Sequence, residues 1–350
     1  MLEKLIRRAG FAALSLLVLA ARPAWAEDSL SVYLGDKTPP LMNTLNLVAE
    51  GAGFYRDEDL KVSTVLVDGS IKALEACSSG PADICPVGIE PLISREIQGP
   101  RLKMFLTRAS KFGYVIAVLQ DGPIKTLADL KGKKIGVHST TGSSAVFATQ
   151  SSLSGAGLTP ADYTLVGTGM DDQALAAFTS GQVAAAALPL YELIPYKVSG
   201  IKMRIFHHST LGAFPNAGYA ASPAVIAAKG KALSRFSRAV VKASLLIRYN
   251  PTAAARALYV AQGKPFTEAE VRKKAADFTA WQDDLPASDP NSRHIGAFSI
   301  AGMQRYSELL AKGGVTKTPV PASDVVTVEF VKFANDFDRK AFKKHALAMR

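Results

Sequence analysis

The residues of this chain best placed by type and spacing to do chemistry are Ser139, Thr140, Thr141, Gly142, Ser143 and Ser144. They follow Lys134-Ile135-Gly136-Val137-His138 and precede Ala145-Val146-Phe147, an order that reads as buried strand, small-residue turn and first helical turn. A helix start leaves about four backbone N–H groups without intrahelical partners and carries roughly half a positive charge. Gly142 lets a ligand approach the backbone closely, and the hydroxyls of Thr140, Thr141, Ser143 and Ser144 can donate or accept. Together they make a cradle for a small anionic or polar group. The same residue types also cap helices that hold no ligand, so the segments around the turn must decide.

Other reactive side chains narrow the chemistry. His207 and His208 are adjacent in a segment that reads as a strand, so they point to opposite faces and cannot chelate one ion. No G-x-S-x-G, H-E-x-x-H or Walker pattern occurs. No metal and no cofactor are expected. Cys77 and Cys85 are the only cysteines, eight apart, at the end of an expected helix and in the strand after it. That placement allows a disulfide, which would add about 2 kcal/mol by closing so short a loop. Two buried thiols acting as small hydrophobes is the other reading.

Composition sets the compartment and excludes some partners. The chain has 350 residues, 48% hydrophobic and 20% charged, enough for about two globular domains. Residues 1–26 stand apart: basic Lys4, Arg7 and Arg8, an uncharged run from Ala9 to Ala21, then Ala24-Trp25-Ala26. This is the plan of a cleavable secretory signal peptide, and the run is too short for a membrane helix of about 20 residues. The mature chain is expected to be exported. Residues 1–26 carry Lys4, Arg7, Arg8 and Arg22 against Glu3, so processing lowers the formal charge from +11 to +8. The basic residues are scattered except near Arg339, Lys340, Lys343 and Lys344, with no basic–aromatic interleaving, so nucleic acid is not an expected partner.

The elements that must position the turn alternate. Strands are expected at 29–34, 60–67, 84–87 and 102–106, with helices at 43–53, 70–80 and from Glu90. A strand at 115–119 leads into a second series: strands 134–138, 163–167, 184–188 and 202–207 with helices 143–154, 171–180 and 189–198. Such alternation calls for parallel sheets covered on both faces. Leu74-Glu75-Ala76-Cys77-Ser78-Ser79-Gly80-Pro81-Ala82-Asp83 echoes Leu175-Ala176-Ala177-Phe178-Thr179-Ser180-Gly181-Gln182-Val183-Ala184 at an offset of 101 residues. After Gly218-Tyr219-Ala220-Ala221 the pattern is helical, with Phe236, Ala239, Val240, Ala243 and Ile247 on one face, Asn250-Pro251 as a stop, and Thr267-Glu268-Ala269-Glu270 as a capping box. Met303, Tyr306 and Leu310 mark a further helix ending at Gly313-Gly314. The expected division is 1–26, signal peptide; 27–112, first part of lobe one; 113–220, lobe two; 221–350, the mainly helical second part of lobe one.

Several segments carry a family resemblance. Gly53-Phe54-Tyr55-Arg56-Asp57-Glu58-Asp59-Leu60-Lys61-Val62 looks like "GFF..EGL.V", and Ala73-Leu74 with Ser79-Gly80-Pro81-Ala82-Asp83 looks like "AL..G.AD". Ile124 to Val137 matches "I.SLADLKGKKIGV", and Thr179-Ser180-Gly181-Gln182-Val183 matches "..SGQVDA". Over residues 28–338 the chain resembles the extracytoplasmic solute-binding proteins of ABC importers, in the NMT1/THI5-like branch of nitrate, taurine, alkanesulfonate and thiamine-pyrimidine binders. It departs from the pattern at Ala184, where the family has Asp, and at Pro189-Leu190-Tyr191, which replaces "W-E/D-P". The missing acid weakens the case for an amine-recognising pocket and tilts the expectation towards an anion.

The resemblance implies an α/β, periplasmic-binding-protein-like fold of type II: two doubly wound lobes with a ligand cleft between them. Ligand would bind at the C-terminal ends of the strands. The implied contacts are Asp36, Lys37 and Thr38; Gly69 and Ser70; Gly88 and Glu90; Thr107 and Arg108; Thr140, Thr141, Gly142, Ser143 and Ser144; Met170; Tyr191 and Glu192; and Asn216 and Tyr219. Lys37 or Arg108 would pair with a carboxylate or sulfonate, and Tyr114, Tyr191 or Tyr219 would stack on a planar ligand. The Thr38 and Ser70 turns would face the 139–144 turn across the cleft. The implied location is the periplasm, and the implied partners are a small-molecule ligand and an ABC permease with its ATPase in the inner membrane, served by a monomer without enzymatic activity. The alternatives are an exported ligand-sensing module for a membrane receptor and a THI5-like pyrimidine-biosynthesis enzyme. The enzymes of that group carry a Cys-rich motif for which two cysteines do not suffice.

Overall fold

Burial with a period of two shapes the first strand, β1 (Asp28–Leu34), whose Leu30, Val32 and Leu34 are buried between more exposed neighbours. The computed structural model describes residues 28–35, 41–67, 70–94, 101–140, 144–169, 171–208, 217–287 and 289–350. Among these, α1 (Leu45–Gly51) leads to β2 (Leu60–Leu66), α2 (Ser70–Ser79) to β3 (Cys85–Gly88), and α3 (Glu90–Ser94) to β4 (Lys103–Thr107). The chain then builds β5 (Tyr114–Leu119), β6 (Lys134–Val137), α4 (Ser144–Ser154), β7 (Thr164–Gly167), α5 (Asp171–Thr179), β8 (Ala185–Pro189), α6 (Ile194–Val198) and β9 (Met203–His207). It returns through β10 (Ala217–Ala221) and continues as α7 (Pro223–Tyr249), α8 (Pro251–Ala261), α9 (Glu268–Trp281), α10 (Ile300–Lys312), α11 (Ala322–Val325), α12 (Val331–Ala334) and α13 (Arg339–Ala348).

The strand order gives two lobes on one plan. β1 pairs in parallel with β2, Val32 bridges Ile84 beside β3, and β10 lies antiparallel between β3 and β4. The first sheet therefore runs β2-β1-β3-β10-β4. The second runs β7-β6-β8-β5-β9, with β5 antiparallel to β8 and β9 and the other pairs parallel. Each sheet places its fourth strand beyond one antiparallel strand delivered by the other lobe. The 101-residue echo falls on matched places: the end of α2 before β3 and the end of α5 before β8, the third strand of each lobe.

Both faces of the second sheet are covered, as a parallel sheet requires. Val115 and Ala117 of β5 face a core layer with Phe178 and Tyr196, while Ile116 and Val118 face one with Ala145 and Leu153. In lobe one the long α7 supplies Leu233, Phe236, Val240, Ala243 and Ile247, all buried at helical spacing. Phe236 is the hub. It stacks on Tyr55 at 5.5 Å and meets Tyr219 and Phe105 edge-on at 5.2 and 6.2 Å. Its loss to Ala would cost about 3–5 kcal/mol. Helix α1 lies so close to α8 that a Cβ on Gly51 would stand 1.8 Å from the Ala257 carbonyl oxygen. Cys77 in α2 is bonded to Cys85 at the start of β3.

Sequence boundaries and observed ones agree to within a residue or two for most strands. Three differences are informative. Gly218 to Ala221 lies in strand β10 (Ala217–Ala221), although no β-branched residue marks it. Helix α7 begins at Pro223, capped by Ser222 and bent at Lys229 (φ −118°, ψ 20°), well before the apolar stripe from Phe236 that signals it. The 189–198 helix opens as a tighter 3-10 turn over Leu190–Leu193 before α6. The Thr267–Glu270 capping box forms in both directions, as the spacing requires.

Candidate functional site

The C-terminal edges of the two sheets are where such folds form their crevices. Register fixes which residues reach those edges. In lobe one Gly88 lies opposite Ala217 and Thr107 opposite Gly218; in lobe two Tyr114 lies opposite Pro189 and Val115 opposite His207. The segments that follow these strand ends touch the other lobe. The Leu190–Leu193 turn lies against Leu41–Thr44, and Tyr191 and Ile194 pack on the core of lobe one. On the other flank Ala148 and Phe147 of α4 join the cluster built by α2, α3 and α10.

Around that second contact sits an acid held among aromatics. Glu90, the first residue of α3, is 6% exposed and accepts a hydrogen bond from the Tyr306 hydroxyl of α10. The Tyr306 ring meets Phe112 at 5.6 Å and Phe147 at 5.8 Å. Phe112 in turn meets Tyr114 at 5.9 Å and His208 at 6.0 Å. His208 shares a 2.9 Å hydrogen bond with the Ser151 hydroxyl of α4. Burial lowers the His208 pKa by penalising its charged form. Phe112 lies between β4 and β5, and His208 lies just after β9 on the way to β10, the two crossings by which the chain passes between lobes, so the cluster joins both crossings to α4 and α10.

Arg108 is the buried cation of the β4 end, 4% exposed, with its guanidinium carbon 5.9 Å from the Tyr219 ring centre. Its backbone N–H donates to the Ala217 carbonyl at 3.0 Å. Gly218 beside it has no room for a side chain: a Cβ would stand 2.6 Å from the Leu106 carbonyl oxygen and 2.7 Å from Phe298. Burial raises the Tyr219 pKa, opposed by Arg108, and raises that of Tyr55 with the further help of Tyr219 and Glu50. At the outer flank Asp284 of lobe one has its pKa raised by burial, opposed by Lys111 of the first crossing and Lys197 of α6 in lobe two.

The residues singled out from sequence divide into four groups. Asp36, Lys37, Thr38, Gly69, Thr141, Gly142, Ser143, Met170 and Asn216 lie outside the described residues. Ser70 and Ser144 open α2 and α4, and Thr140 is exposed just beyond β6. Gly88, Glu90, Thr107, Arg108, Tyr191 and Glu192 stand at or just beyond the ends of β3, β4 and β8, with Glu90, Thr107, Arg108 and Glu192 buried. Tyr219 is fully buried, with its ring against Phe236 in the core of lobe one and 5.9 Å from the Arg108 guanidinium carbon.

Sequence reasoning did not find the Glu90–Tyr306 pair or the roles of Phe112, Phe147 and His208. Tyr306 showed only as an apolar marker of its helix, and its partner stands 216 residues away. Among the described residues no group of three or more His, Cys, Asp or Glu could hold a metal, and no helix is long and apolar enough to cross a membrane.

Comparison with known proteins agrees with this geometry. A family model described as NMT1/THI5 like matches residues 43–254. The riboflavin-binding protein RibY of Chloroflexus aurantiacus is 24% identical over 292 residues, 81% of each chain. A solved Bordetella bronchiseptica protein superposes with a TM-score of 0.65 at 24% identity, covering 88% of this chain and 97% of its own. The alkanesulfonate-binding protein SsuA of Xanthomonas axonopodis pv. citri, bound to MOPS, gives 0.60 at 23% identity over 88% and 100%. The desulfurization enzyme DSZB shares the fold at a TM-score of 0.55 and 19% identity over 88% and 98%. At these identities the structural likenesses establish the fold: two periplasmic-binding-protein-like α/β lobes.

Proposed function

The chain belongs to the NMT1/THI5-like family, and from that premise we propose that it is the periplasmic solute-binding component of an ABC importer. It captures a small organic solute by closure of the cleft and hands it to a membrane permease, with an ATPase on the far side. It works as a monomer after processing at Ala26, without cofactor and without turnover. In this reading the first lobe boundary stays at residue 113, and pairing of β10 with β3 and β4 favours a second boundary before Ala217 rather than at 220.

One observation carries this reading: the segments just beyond the C-terminal strand ends of lobe two, Leu190–Ile194 and the first turns of α4, lie against lobe one. A clamp on a solute needs that arrangement. Arg108 at the β4 end supports an acidic head group, and half-buried Tyr114 and Tyr191 at the edge support a planar or apolar body. Sulfonates, aromatic carboxylates, nitrate-like anions and pyrimidines remain the solute classes of this proposal, and the flavin of RibY adds a planar candidate. Both cysteines are taken up in one bond, which supports binding over thiol chemistry.

The test is a thermal-shift screen across sulfonates, nitrate, aromatic carboxylates, pyrimidines and flavins. A solute that binds only the folded protein raises its melting temperature as concentration exceeds Kd. At least one class should do so, and the compound should be recovered unchanged. Absence of any stabilisation across the panel would remove the importer reading, and conversion of the compound would favour an enzyme. A permease and an ATPase encoded beside the gene would separate transport from sensing.

A further inference from the structure

We propose that the outward face of α13 is a docking surface for an anionic lipid bilayer. The helix is anchored through Phe342 and Ala346, both buried, with the Phe342 ring 5.6 Å from Phe54. Lys340, Lys343, Lys344 and Leu347 stand at positions i, i+3, i+4 and i+7, so they form one stripe on the other side of the helix; Lys343, at the edge of the stripe, has its ammonium 5.3 Å from the Tyr249 ring centre of α7. All four are exposed, Leu347 by 56%. From Arg339 to Arg350 the chain has five basic residues and no acidic one. Among the described residues no carboxylate forms an ion pair with any of the three lysines.

The chemistry favours lipid over an acidic protein. The stripe is one helix wide, well short of the roughly 800 Å² per partner of a specific protein interface. Lysines gathered on one exposed face are what the negative potential of an anionic lipid surface attracts. The face uses lysine, a hydrated point charge suited to a diffuse anionic surface, whereas Arg339 turns inward to Asn335 at 2.5 Å and the Ser292 carbonyl at 3.4 Å. Each lysine near such a surface raises partitioning about fivefold, so three together give roughly a hundredfold at low salt. Screening beyond about 10 Å makes the effect fade above 0.1 M salt. The inference does not depend on what the cleft binds: α13 packs on α7, behind the sheet of lobe one.

The experiment is co-sedimentation of the exported, processed chain with phosphatidylglycerol/phosphatidylcholine vesicles, so that the apolar run of residues 9–21 does not itself partition. Binding to these vesicles but not to pure phosphatidylcholine, loss at high salt, and a drop of roughly a hundredfold in K340E/K343E/K344E support the proposal. A second variant, K133E/K202E/K317E, makes the same change of net charge at exposed lysines elsewhere and should retain most of the binding. Equal loss in both variants would assign the effect to net charge and overturn the docking face. No binding at low salt would overturn it, as would retention on polyglutamate beads but not vesicles, which points to an acidic protein. Melting temperatures of both variants and of the milder K340Q/K343Q/K344Q exclude misfolding as the cause.

Discussion

Replacing Tyr306 by Phe removes one oxygen from a hydrogen bond inside lobe one, beside the place where α4 packs on it, and leaves the packing as it is. The ring keeps its neighbours Phe112 at 5.6 Å and Phe147 at 5.8 Å, so no cavity opens. What is lost is the hydroxyl that donates to Glu90, a side chain only 6% exposed and therefore poorly served by water. A hydrogen bond to a charged acceptor contributes about 1.5–3 kcal/mol, and burial places Tyr306→Phe in the upper half of that range. Tyr306→Ala would add a cavity and cost about 3–5 kcal/mol. Glu90→Gln keeps an oxygen for the hydroxyl to donate to while removing the charge. Urea denaturation of the wild type, the two single variants (Tyr306→Phe and Glu90→Gln) and their combination completes the cycle. The slope should stay constant, and the coupling between the two sites should exceed about 1 kcal/mol. A Tyr306→Phe protein within about 0.5 kcal/mol of the wild type would refute the reasoning. So would a cost that is unchanged when Glu90 is already Gln.

Three further outcomes follow from the same contacts. Burial depresses the His208 pKa, so the unfolded chain takes up the proton first as pH falls below about 6.5, and stability is lost on acidification. The melting temperature should therefore fall more between about pH 7 and 5 for the wild type than for His208→Gln, and equal slopes would contradict this. Cys77→Ala with Cys85→Ala should lower stability by about 2 kcal/mol from loop entropy alone, read by denaturation without reductant; an unchanged midpoint would mean that the bond does not stabilise the fold. Phe147→Ala removes an aromatic contact of about 0.5–1.5 kcal/mol that holds α4 on α10. X-ray scattering should then show a larger radius of gyration, and an identical profile would show that this contact does not hold the lobes together.

Much of the fold is legible in the sequence because its signals are local. Gly-capped helix ends followed by apolar runs give the strand–helix alternation, and the echo between Leu74–Asp83 and Leu175–Ala184 marks the third strand of each lobe before any pairing is known. Strand β10 escapes such reading, since Ala217-Gly218-Tyr219-Ala220-Ala221 has a strand's burial but not its usual residues; only pairing with β3 and β4, more than 100 residues earlier, defines it. The site divides in the same way. Element order alone puts Glu90, Arg108, Tyr191 and Glu192 just beyond strand ends, and the structure has them there. Tyr219 follows the same rule but sits in the core, because the strand's alternation turns its ring toward Phe236. The Glu90–Tyr306 pair and the Phe112–His208 contact depend on chain segments brought together only by the two crossings, and no spacing announces them. The Ser139–Ser144 cradle remains an expectation of the sequence, with its centre outside the described residues.

The central claim is that the cleft between the lobes binds one solute and returns it unchanged. Calorimetric titration of the strongest stabiliser from the solute panel into the wild type and into Tyr191→Ala tests it most directly. The account predicts saturable binding of one solute per chain, at least roughly tenfold weaker in the variant, with the solute chemically intact at the end. Binding of more than one solute per chain, equal affinity in both proteins, or release of a product would contradict it.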